Sequence, residues 1–309
     1  MTVIKSCLFS LSQNTNMNKF ATKVGPKMGI KSFIAGTTID ELERNIVRLN
    51  KQNISVTVDN LGEFVYSESE ANIATNHIIT IIDRLNGQNL DGHISLKLTQ
   101  IGLDISMEIC RQNLIRILSK ANDAHIFINI DMEDYNHIQS SWQIINDCKQ
   151  VFNNFGTVIQ ASLHRAKKDR NENKNLRLRI VKGAYKESEN VAYQTSKEID
   201  DNFLELCKVH LQEGKFTSIA THDYELITEL IKYIERNKIS KEKFEFQMLY
   251  GFRTNLQQLL SQQGYRVCVY MPYGQDWYGY FMRRLAERPQ NINLIIKQSI
   301  SKLLLKGRI

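Results

Sequence analysis

The chain has 309 residues, of which 42% are hydrophobic and 24% are charged, and it contains only 3 prolines. These values are typical of a soluble globular protein that forms one large domain or two smaller ones. A protein that spans the membrane by an α-helix is not expected, because no apolar run approaches the roughly 20 residues that a transmembrane helix needs.

The formal net charge is +7, which is compatible with nucleic acid, an anionic lipid surface or an anionic ligand as the partner. Lysine and arginine are spread evenly, and the densest basic stretch, HRAKKDRNENKN at 164–175, is typical of a solvated loop and helix end. Nucleic-acid binding normally needs a concentrated basic patch. We therefore expect no nucleic-acid partner, and weak peripheral contact with an anionic membrane is a second hypothesis.

The cysteines are scattered and include no CxxC pair or Cys/His cluster with zinc spacing: Cys7, Cys110, Cys148, Cys207 and Cys268. Thiols distributed in this way are typical of a reduced, cytosolic protein. The N-terminal MTVIKSCLFSLSQN lacks the basic segment and long apolar segment of a secretory signal. The sequence thus predicts a cytoplasmic protein without a metal site.

Residues 1–53 are predicted to form a helical segment that precedes the main domain. TIDE at 38–41 has the pattern of a capping box, and LERNIVRL follows with helical periodicity. From 54 to 309, short β-rich runs alternate with amphipathic stretches such as SMEICRQNLIRILSKAN (106–122) and SSWQIINDCKQVFNN (140–154).

The β-rich runs recur at intervals of about 20 to 40 residues, bounded by helical patterns. They are ISVTVD (54–59), HISLKL (93–98), IFINID (126–131), TVIQAS (157–162), RLRIVK (177–182), TSIAT (217–221), FEFQML (244–249) and RVCVYM (266–271). Strands that alternate with helices predict a parallel sheet, and a set of this size suits a closed (β/α)8 barrel of the TIM type as a single catalytic domain. An open doubly wound sheet is the alternative.

Each strand ends in or beside a polar or ionisable side chain: Asp59, Lys97, Asp131, Gln160, Lys182, His222, Gln247 and Tyr270. Barrel enzymes build their active sites from the carboxyl ends of the strands. Alternation along the third strand places Asn129 and Asp131 on its inner face, opposite Ile128 and Ile130. A single such side chain is commonly a helix cap, but this many at one end of a barrel indicate a binding site, because clustered polar groups are costly unless they bind a ligand.

A helical segment near the end of the chain, WYGYFMRRLAERP at 277–289, carries two adjacent arginines. Tyr280, Arg283, Arg284 and Glu287 are three or four residues apart and so share one helical face. Glu287 can hold either arginine, and two guanidinium groups together suit a carboxylate or phosphate. An exposed basic helix with ordinary salt bridges is the alternative.

Several common catalytic patterns are absent from the sequence. No GxGxxG opens a strand-to-helix turn, and there is no P-loop, GxSxG elbow or HExxH, so a Rossmann-type dinucleotide site has no support. The nearest glycine-bearing turn is VKGAY at 181–185, where small residues would let the backbone approach a ligand closely.

Six segments resemble the proline dehydrogenase family: ISLKLTQIGL (94–103), INIDMED (128–134), RLRIVKGAYKES (177–188), ATHD (220–223), FEFQMLYGFR (244–253) and YMPYGQDWYGYFMRRLAERP (270–289). The resemblance is to the monofunctional bacterial form, since the chain ends soon after the barrel. It implies a (β/α)8 barrel that binds FAD without a Rossmann fold. It also implies oxidation of L-proline to 1-pyrroline-5-carboxylate, the first step of proline degradation to glutamate, with electrons passed to a membrane quinone.

The resemblance further implies roles for individual residues, with Asp131 and Arg179 as the catalytic pair near the flavin. L-Proline would be bound by Lys97, Arg283, Arg284, Tyr270, Tyr280, Leu249, Ala184 and Tyr185, with Glu287 orienting the arginines. FAD would be lined by Met132, Gln160, Arg179, Val181, Lys182, Gly183, Ala184, Thr221, His222 and Gln247. The first sixty residues match nothing in the family pattern.

Two other functions fit parts of the sequence. Another flavin-dependent barrel, for instance one resembling methylenetetrahydrofolate reductase, would share the fold and the cofactor. Its pocket would have to accommodate a pterin, whereas Tyr270 and Tyr280 beside paired arginines indicate a small amino acid. A non-enzymatic, basic nucleic-acid-binding protein would have no chromophore and would bind with a steep dependence on salt.

Overall fold

A computed structural model describes residues 33–62, 65–277 and 279–280. Its strands are β1 (Ser55–Asn60), β2 (Gly92–Lys97), β3 (Ile128–Asp131), β4 (Phe155–Gln160), β5 (Arg177–Val181), β6 (Phe216–Ala220), β7 (Phe244–Leu249) and β8 (Val267–Tyr273). Its α-helices include α1 (Ile39–Asn50), α2 (Glu68–Gly87), α3 (Met107–Asp123), α4 (Tyr135–Cys148), α5 (Ala166–Glu172), α6 (Ser196–Glu213), α7 (Tyr224–Arg236) and α8 (Thr254–Gln262). Two short 3-10 helices lie at Thr99–Ile101 and Lys241–Lys243.

The strands form a closed parallel barrel in chain order. The barrel closes where β8 pairs with β1, so that Tyr270 lies opposite Thr57. The predicted (β/α)8 barrel is therefore confirmed, and the open doubly wound alternative is wrong. The predicted strand boundaries agree with the observed ones to within one or two residues.

The core lies between the outer face of the barrel and the surrounding helices. Ile128 and Ile130 on β3 are fully buried, as the alternation predicts. On α3, one face is fully buried at Cys110, Leu114, Ile117, Leu118 and Ala121. Burial of each large apolar side chain contributes about 1.5–3 kcal/mol to the free energy of folding. This packing of helices on the barrel holds the ends of the strands in place.

The boundaries of α4 differ from the predicted stretch at 140–154. The helix begins at Tyr135 because the side chain of Asp134 accepts hydrogen bonds from the N–H groups of Asn136 and His137. It ends at Cys148, and the following residues lead into β4. The amphipathic pattern thus identified the helix but placed it several residues too late.

The helix predicted after TIDE is α1, and its N-terminus differs in detail from a capping box. The hydroxyl of Thr38 accepts a hydrogen bond from the N–H of Glu41 at 3.3 Å, as expected. The carboxylate of Glu41 accepts from the N–H of Thr37 at 2.9 Å, one residue earlier than the pattern requires. Residues 1–32 of the predicted N-terminal segment lie outside the described residues.

The basic stretch at 164–175 contains α5, and it is not simply a solvated loop. Arg170 and Asp169 are buried, and Arg165 donates to Asp169 at 2.8 Å. Lys167 pairs with Glu205 of α6 at 2.6 Å. Much of the positive charge in this stretch is therefore neutralised by acidic partners within the fold.

Candidate active site

Five polar side chains meet inside the barrel at the carboxyl ends of the strands. They come from β1, β2, β3, β5 and β8, and we refer to them as the mouth cluster: Asp59, Lys97, Asp131, Arg179 and Tyr270. Because β8 pairs with β1 and the first three strands are neighbours, closure of the barrel brings residues far apart in sequence into contact.

The centre of the cluster is an ion pair between Arg179 and Asp131, with Nη1 2.6 Å from Oδ1. The same carboxylate oxygen accepts from the hydroxyl of Ser95 at 2.7 Å and from the amide of Asn129 at 2.9 Å. Arg179 also reaches Thr57 at 3.4 Å, while its Nε has no hydrogen-bond partner among the described residues. Arg179 is 4% exposed as a residue, and the ion pair fixes the position of its guanidinium group.

Tyr270 connects the two acidic groups of the cluster. Its hydroxyl oxygen lies 2.7 Å from Asp59 Oδ2 and 2.9 Å from Asp131 Oδ2. The guanidinium carbon of Arg179 lies 5.3 Å from the centre of the tyrosine ring. Burial, together with the neighbouring carboxyls, raises the pKa of Tyr270 well above its usual range, so the side chain remains a neutral phenol.

Lys97 and Asp59 form the rim of the cluster. The lysine Nζ lies 3.1 Å from Asp59 Oδ2, and the Asp59 side chain is 1% exposed. Burial raises the pKa of Asp59, although the charge of Lys97 opposes this shift. A cationic group beside a rigid, buried guanidinium is an arrangement that can receive a small carboxylate.

A second group of predicted residues lies around the turn after β5, which carries the glycine of VKGAY. Gly183 has a φ of +112°, and a Cβ there would lie 2.2 Å from the hydroxyl oxygen of Ser162. Only glycine tolerates both conditions. The Ser162 hydroxyl is buried and has no hydrogen-bond partner in the described part of the chain. Ala184 and Tyr185 follow on the exposed loop.

Three other residues predicted to line the cofactor lie at the ends of β6 and β7. The hydroxyl of Thr221 accepts from the N–H of Asp223, and His222 Nε2 accepts from the N–H of Leu249 at 2.8 Å. The amide of Gln247 donates to Glu245 at 2.5 Å. These contacts fix the side chains relative to the barrel, and their role toward a cofactor stays a prediction.

The remaining predicted site residues lie apart from the mouth cluster or outside the described part, and their role toward a ligand stays a prediction. The amino group of Lys182 pairs with Asp200 at 2.5 Å and with Asp223 at 3.2 Å, so it points toward α6 and α7. Gln160 donates to the backbone carbonyl of Glu133, beside Met132, while Val181 is partly buried. Tyr280 is buried. Arg283, Arg284 and Glu287 lie outside the described residues.

The family resemblance assigns no individual role to several side chains that hold the mouth cluster together, although Asp59 is predicted as a polar strand end and Asn129 as inward-facing: Thr57, Asp59, Ser95 and Asn129. All of them alternate with buried apolar residues along β1, β2 and β3. Alternation counted back from each strand end identifies these positions as inward-facing. Their mutual contacts depend on strand register, which alternation does not give.

A further buried group lies at the opposite, amino-terminal ends of the strands. Ligand atoms of His93, Glu245 and Cys268 lie within 4.8 Å of one another. Burial and the nearby charge of Arg177 lower the pKa of His93 to about 3. Burial alone would raise the pKa of Glu245, but the charge of Arg177 outweighs it and the pKa is lowered to about 2. Because the guanidinium of Arg177 pairs directly with Glu245, this group is an internal ion pair in which the arginine supplies the positive charge.

Comparison with known proteins identifies the family that the sequence resembles, and the match covers nearly the whole chain. The sequence profile of the family described as proline dehydrogenase matches residues 42–295. The expectation that the first sixty residues match nothing in the family is therefore wrong for residues 42–60. Proline dehydrogenase 1 of Bacillus subtilis strain 168 is 42% identical over 302 residues, which cover 97% of this chain and 100% of that protein. Proline dehydrogenase of Deinococcus radiodurans is 35% identical over 272 residues, which cover 86% of this chain and 88% of that protein.

Solved structures agree with the fold. Proline utilization A from Bdellovibrio bacteriovorus, inactivated by N-propargylglycine, superposes with a TM-score of 0.79 and 25% identity over 87% of this chain. A Bradyrhizobium japonicum proline utilization A superposes with a TM-score of 0.70 at 20% identity, which supports the fold alone. The chain spans about a third of the length of these larger proteins, 33% and 30% respectively. The profile match and the full-length relatives show that the chain belongs to the proline dehydrogenase family.

Proposed function

We propose that this protein oxidises L-proline to 1-pyrroline-5-carboxylate with a bound FAD as hydride acceptor, the first step of proline degradation to glutamate. Besides family membership, the observation that carries the proposal is the buried Arg179–Asp131 pair beside Lys97 at the carboxyl ends of the barrel strands. Catalytic groups of such barrels are found at this end. The experiment that tests the proposal is reduction of the flavin spectrum by L-proline, described in the Discussion.

Several features of the barrel mouth fit a flavin cofactor. Gly183 is exposed on its turn and has no side chain to block a ligand, and the buried Ser162 hydroxyl and Arg179 Nε lack partners among the described residues. We propose that FAD is held by Met132, Gln160, Arg179, Val181, Lys182, Gly183, Ala184, Thr221, His222 and Gln247. When bound, FAD supplies the capacity to accept a hydride and to pass its electrons on.

Arg179 and Asp131 are the proposed catalytic pair. Arg179 presents a permanent positive charge at a buried position, and with the flavin bound this charge would stabilise the negative charge that develops during hydride transfer. Asp131 holds the guanidinium at 2.6 Å and offsets its charge, so that the arginine needs no reorganisation during the reaction.

The substrate is proposed to bind by its carboxylate at one end and by its ring at the other. Lys97, Arg283 and Arg284 would bind the carboxylate, with Glu287 orienting the arginines. The pyrrolidine ring would pack against Tyr270, Tyr280, Leu249, Ala184 and Tyr185. Fixing both ends presents the carbon beside the ring nitrogen in one orientation, which is the main contribution a protein makes to hydride transfer.

Replacing Arg284 with methionine is expected to raise the KM for L-proline by about 10- to 100-fold, because a charge-assisted hydrogen bond to a carboxylate contributes about 1.5–3 kcal/mol. Flavin content should not change. Steady-state kinetics with flavin quantified in the same preparations measures both. Arg44→Met, at an exposed position of α1, is the matched control. A KM equal to that of the control would exclude Arg284 from the carboxylate site.

A membrane quinone is the proposed electron acceptor, reached through weak peripheral contact between a cytoplasmic enzyme and the membrane. None of the helices in the described ranges is long and apolar enough to cross a bilayer, so such contact would occur at the surface. The net charge of +7 favours anionic lipid. Sedimentation with liposomes checks this, and binding that does not depend on lipid charge or salt would contradict it.

A further inference from the structure

The loop that follows β5, residues 182–193, begins and ends at the same residue of the barrel, Ser162. We refer to it as the β5 loop. The N–H of Ser162 donates to the carbonyl of Lys182 at 2.8 Å, and the carbonyl of Ser162 accepts from the N–H of Tyr193 at 2.8 Å. Both ends of the loop are therefore fixed by main-chain hydrogen bonds, which do not depend on any side chain of the loop.

The two halves of the β5 loop differ in exposure. The half that leads to α6 is held by His164, whose Nε2 lies 3.0 Å from the carbonyl oxygen of Glu189. In the other half, residues 183–186 are exposed at every position. This exposed half carries Ala184 and Tyr185, which are proposed to close the pocket around the proline ring.

Glu187 follows the exposed half of the loop and contacts the helix that begins after β3. Its Oε1 accepts a hydrogen bond at 2.9 Å from the N–H of Tyr135, the first residue of α4. The next two N–H groups of this helix, from Asn136 and His137, donate to Asp134. Glu187 thus binds an N–H group for which the helix itself has no acceptor, at the end of a helix that favours a negative charge.

The start of α4 is a fixed point that is directly connected to the candidate active site. Asp131 ends β3, and Tyr135 begins α4 after a short turn. That turn is held on two sides, because the carboxylate of Glu133 accepts from the hydroxyl of Thr99 at 2.6 Å and its carbonyl accepts from Gln160 at 2.7 Å. A side chain that attaches the β5 loop to α4 therefore attaches it to the end of the strand that carries the catalytic aspartate.

We propose that Glu187 is a positioning residue, whose carboxylate fastens the exposed half of the β5 loop to the start of α4 and so fixes Ala184 and Tyr185 relative to Asp131. Glu187 contacts neither the substrate nor the flavin in this role. That Ala184 and Tyr185 contact L-proline rests on the proposed function, whereas the attachment of the loop does not.

The attachment of the loop can be measured on the purified holoenzyme without substrate. Chymotrypsin cleaves after exposed tyrosines in mobile segments, and cleavage after Tyr185 is identified by the masses of the products. We expect Glu187→Ala to be cleaved there about 5-fold faster than Glu187→Gln, the effect of one lost hydrogen bond, because the glutamine oxygen can still accept from the N–H of Tyr135. Both variants are neutral at position 187, so a preference of the protease for charge does not affect this comparison.

A matched control lies two residues further along the same loop. Glu189→Ala also removes a carboxylate from the loop, but the contact of Glu189 with His164 is made by its main-chain carbonyl and is retained. This variant should be cleaved after Tyr185 at the rate of the wild-type protein.

The effect on the substrate can be measured by anaerobic stopped-flow absorbance over a range of L-proline concentrations. Rates are compared per bound flavin. We expect Glu187→Ala to raise the apparent dissociation constant of L-proline about 5-fold, while Glu187→Gln and Glu189→Ala stay close to wild type. The limiting rate of flavin reduction should remain within about twofold of wild type, because the contacts that hold Asp131 and Arg179 do not include Glu187. A general loss of structure would instead lower the flavin content and the limiting rate.

The possible outcomes separate this inference from the proposed function. If Glu187→Ala is cleaved no faster than Glu187→Gln, the carboxylate does not fasten the loop and the proposal is wrong. If it is cleaved faster but binds L-proline as tightly as Glu189→Ala, the contact only stabilises the loop and the positioning role is overturned. If L-proline does not reduce the flavin of the wild-type enzyme, the proposed function fails, and the cleavage rates still decide whether Glu187 holds the loop.

Discussion

Replacing Arg179 with methionine is expected to lower the rate of flavin reduction by L-proline about 100- to 1000-fold, the usual effect of removing one fixed electrostatic donor from an active site. Methionine keeps much of the volume of the side chain but removes the positive charge that is proposed to stabilise the developing negative charge. Anaerobic stopped-flow absorbance at saturating L-proline measures this rate separately from substrate binding.

The Arg179 prediction needs a control for structure, because the substitution also leaves Asp131 without its ion-pair partner. Arg179→Lys keeps the charge but loses the fork that contacts both Asp131 and Thr57, and it should retain more activity than the methionine variant. Circular dichroism should show that both variants are folded, and the rates are compared per bound flavin because Arg179 is also proposed to contact FAD. A folded Arg179→Met enzyme that reduces its flavin within about threefold of the wild-type rate would contradict the proposed catalytic role.

Replacing Arg177 with methionine is expected to lower the free energy of unfolding by about 3–5 kcal/mol, because it leaves Glu245 buried without a compensating charge. Glu245 is 4% exposed, and its remaining partners, Ser218 and Gln247, are uncharged. The guanidinium of Arg177 lies over the rings of Phe127 and Phe216, and a methionine at this position preserves part of that packing. Equilibrium unfolding in urea measures the change.

A matched surface pair makes the Arg177 experiment specific. Lys208→Met removes an ion pair with Glu229 in which both side chains are partly exposed. This variant should lower the free energy of unfolding by less than about 1 kcal/mol. The double variant Arg177→Met/Glu245→Gln removes both charges and should recover part of the lost stability. If Arg177→Met were no more destabilising than Lys208→Met, the pair would contribute little to the barrel.

Most of the fold could be predicted from the sequence because the signals are local. In β3, the alternation of Ile128 and Ile130 with Asn129 and Asp131 gives both the strand and its inner face, and the structure agrees. Helix ends are harder to predict from the sequence, because they depend on single side chains. Asp134 starts α4 earlier than the apolar pattern indicates. A complete capping box does occur at Thr195 and Glu198, in the sequence TSKE at the start of α6. The capping-box pattern could have located the beginning of that helix.

The candidate site could be predicted only in part, because its residues meet through barrel closure. The sequence resemblance identifies Asp131 and Arg179, and the structure places them 2.6 Å apart. The position of Tyr270 between two acids depends on the register of β8 against β1, and no local pattern contains that register. The partners of Lys182 on α6 and α7 depend in the same way on helix packing.

The anaerobic absorption spectrum of the purified protein, before and after addition of L-proline, tests the proposed reaction most directly. We expect a yellow protein with the spectrum of oxidised flavin. L-Proline should bleach this spectrum, whereas cyclopentanecarboxylate, which has the same ring size and a carboxylate but no amine to oxidise, should not. A colourless protein, or a yellow one whose spectrum L-proline leaves unchanged, would contradict the assignment of this barrel as an FAD-dependent dehydrogenase of proline.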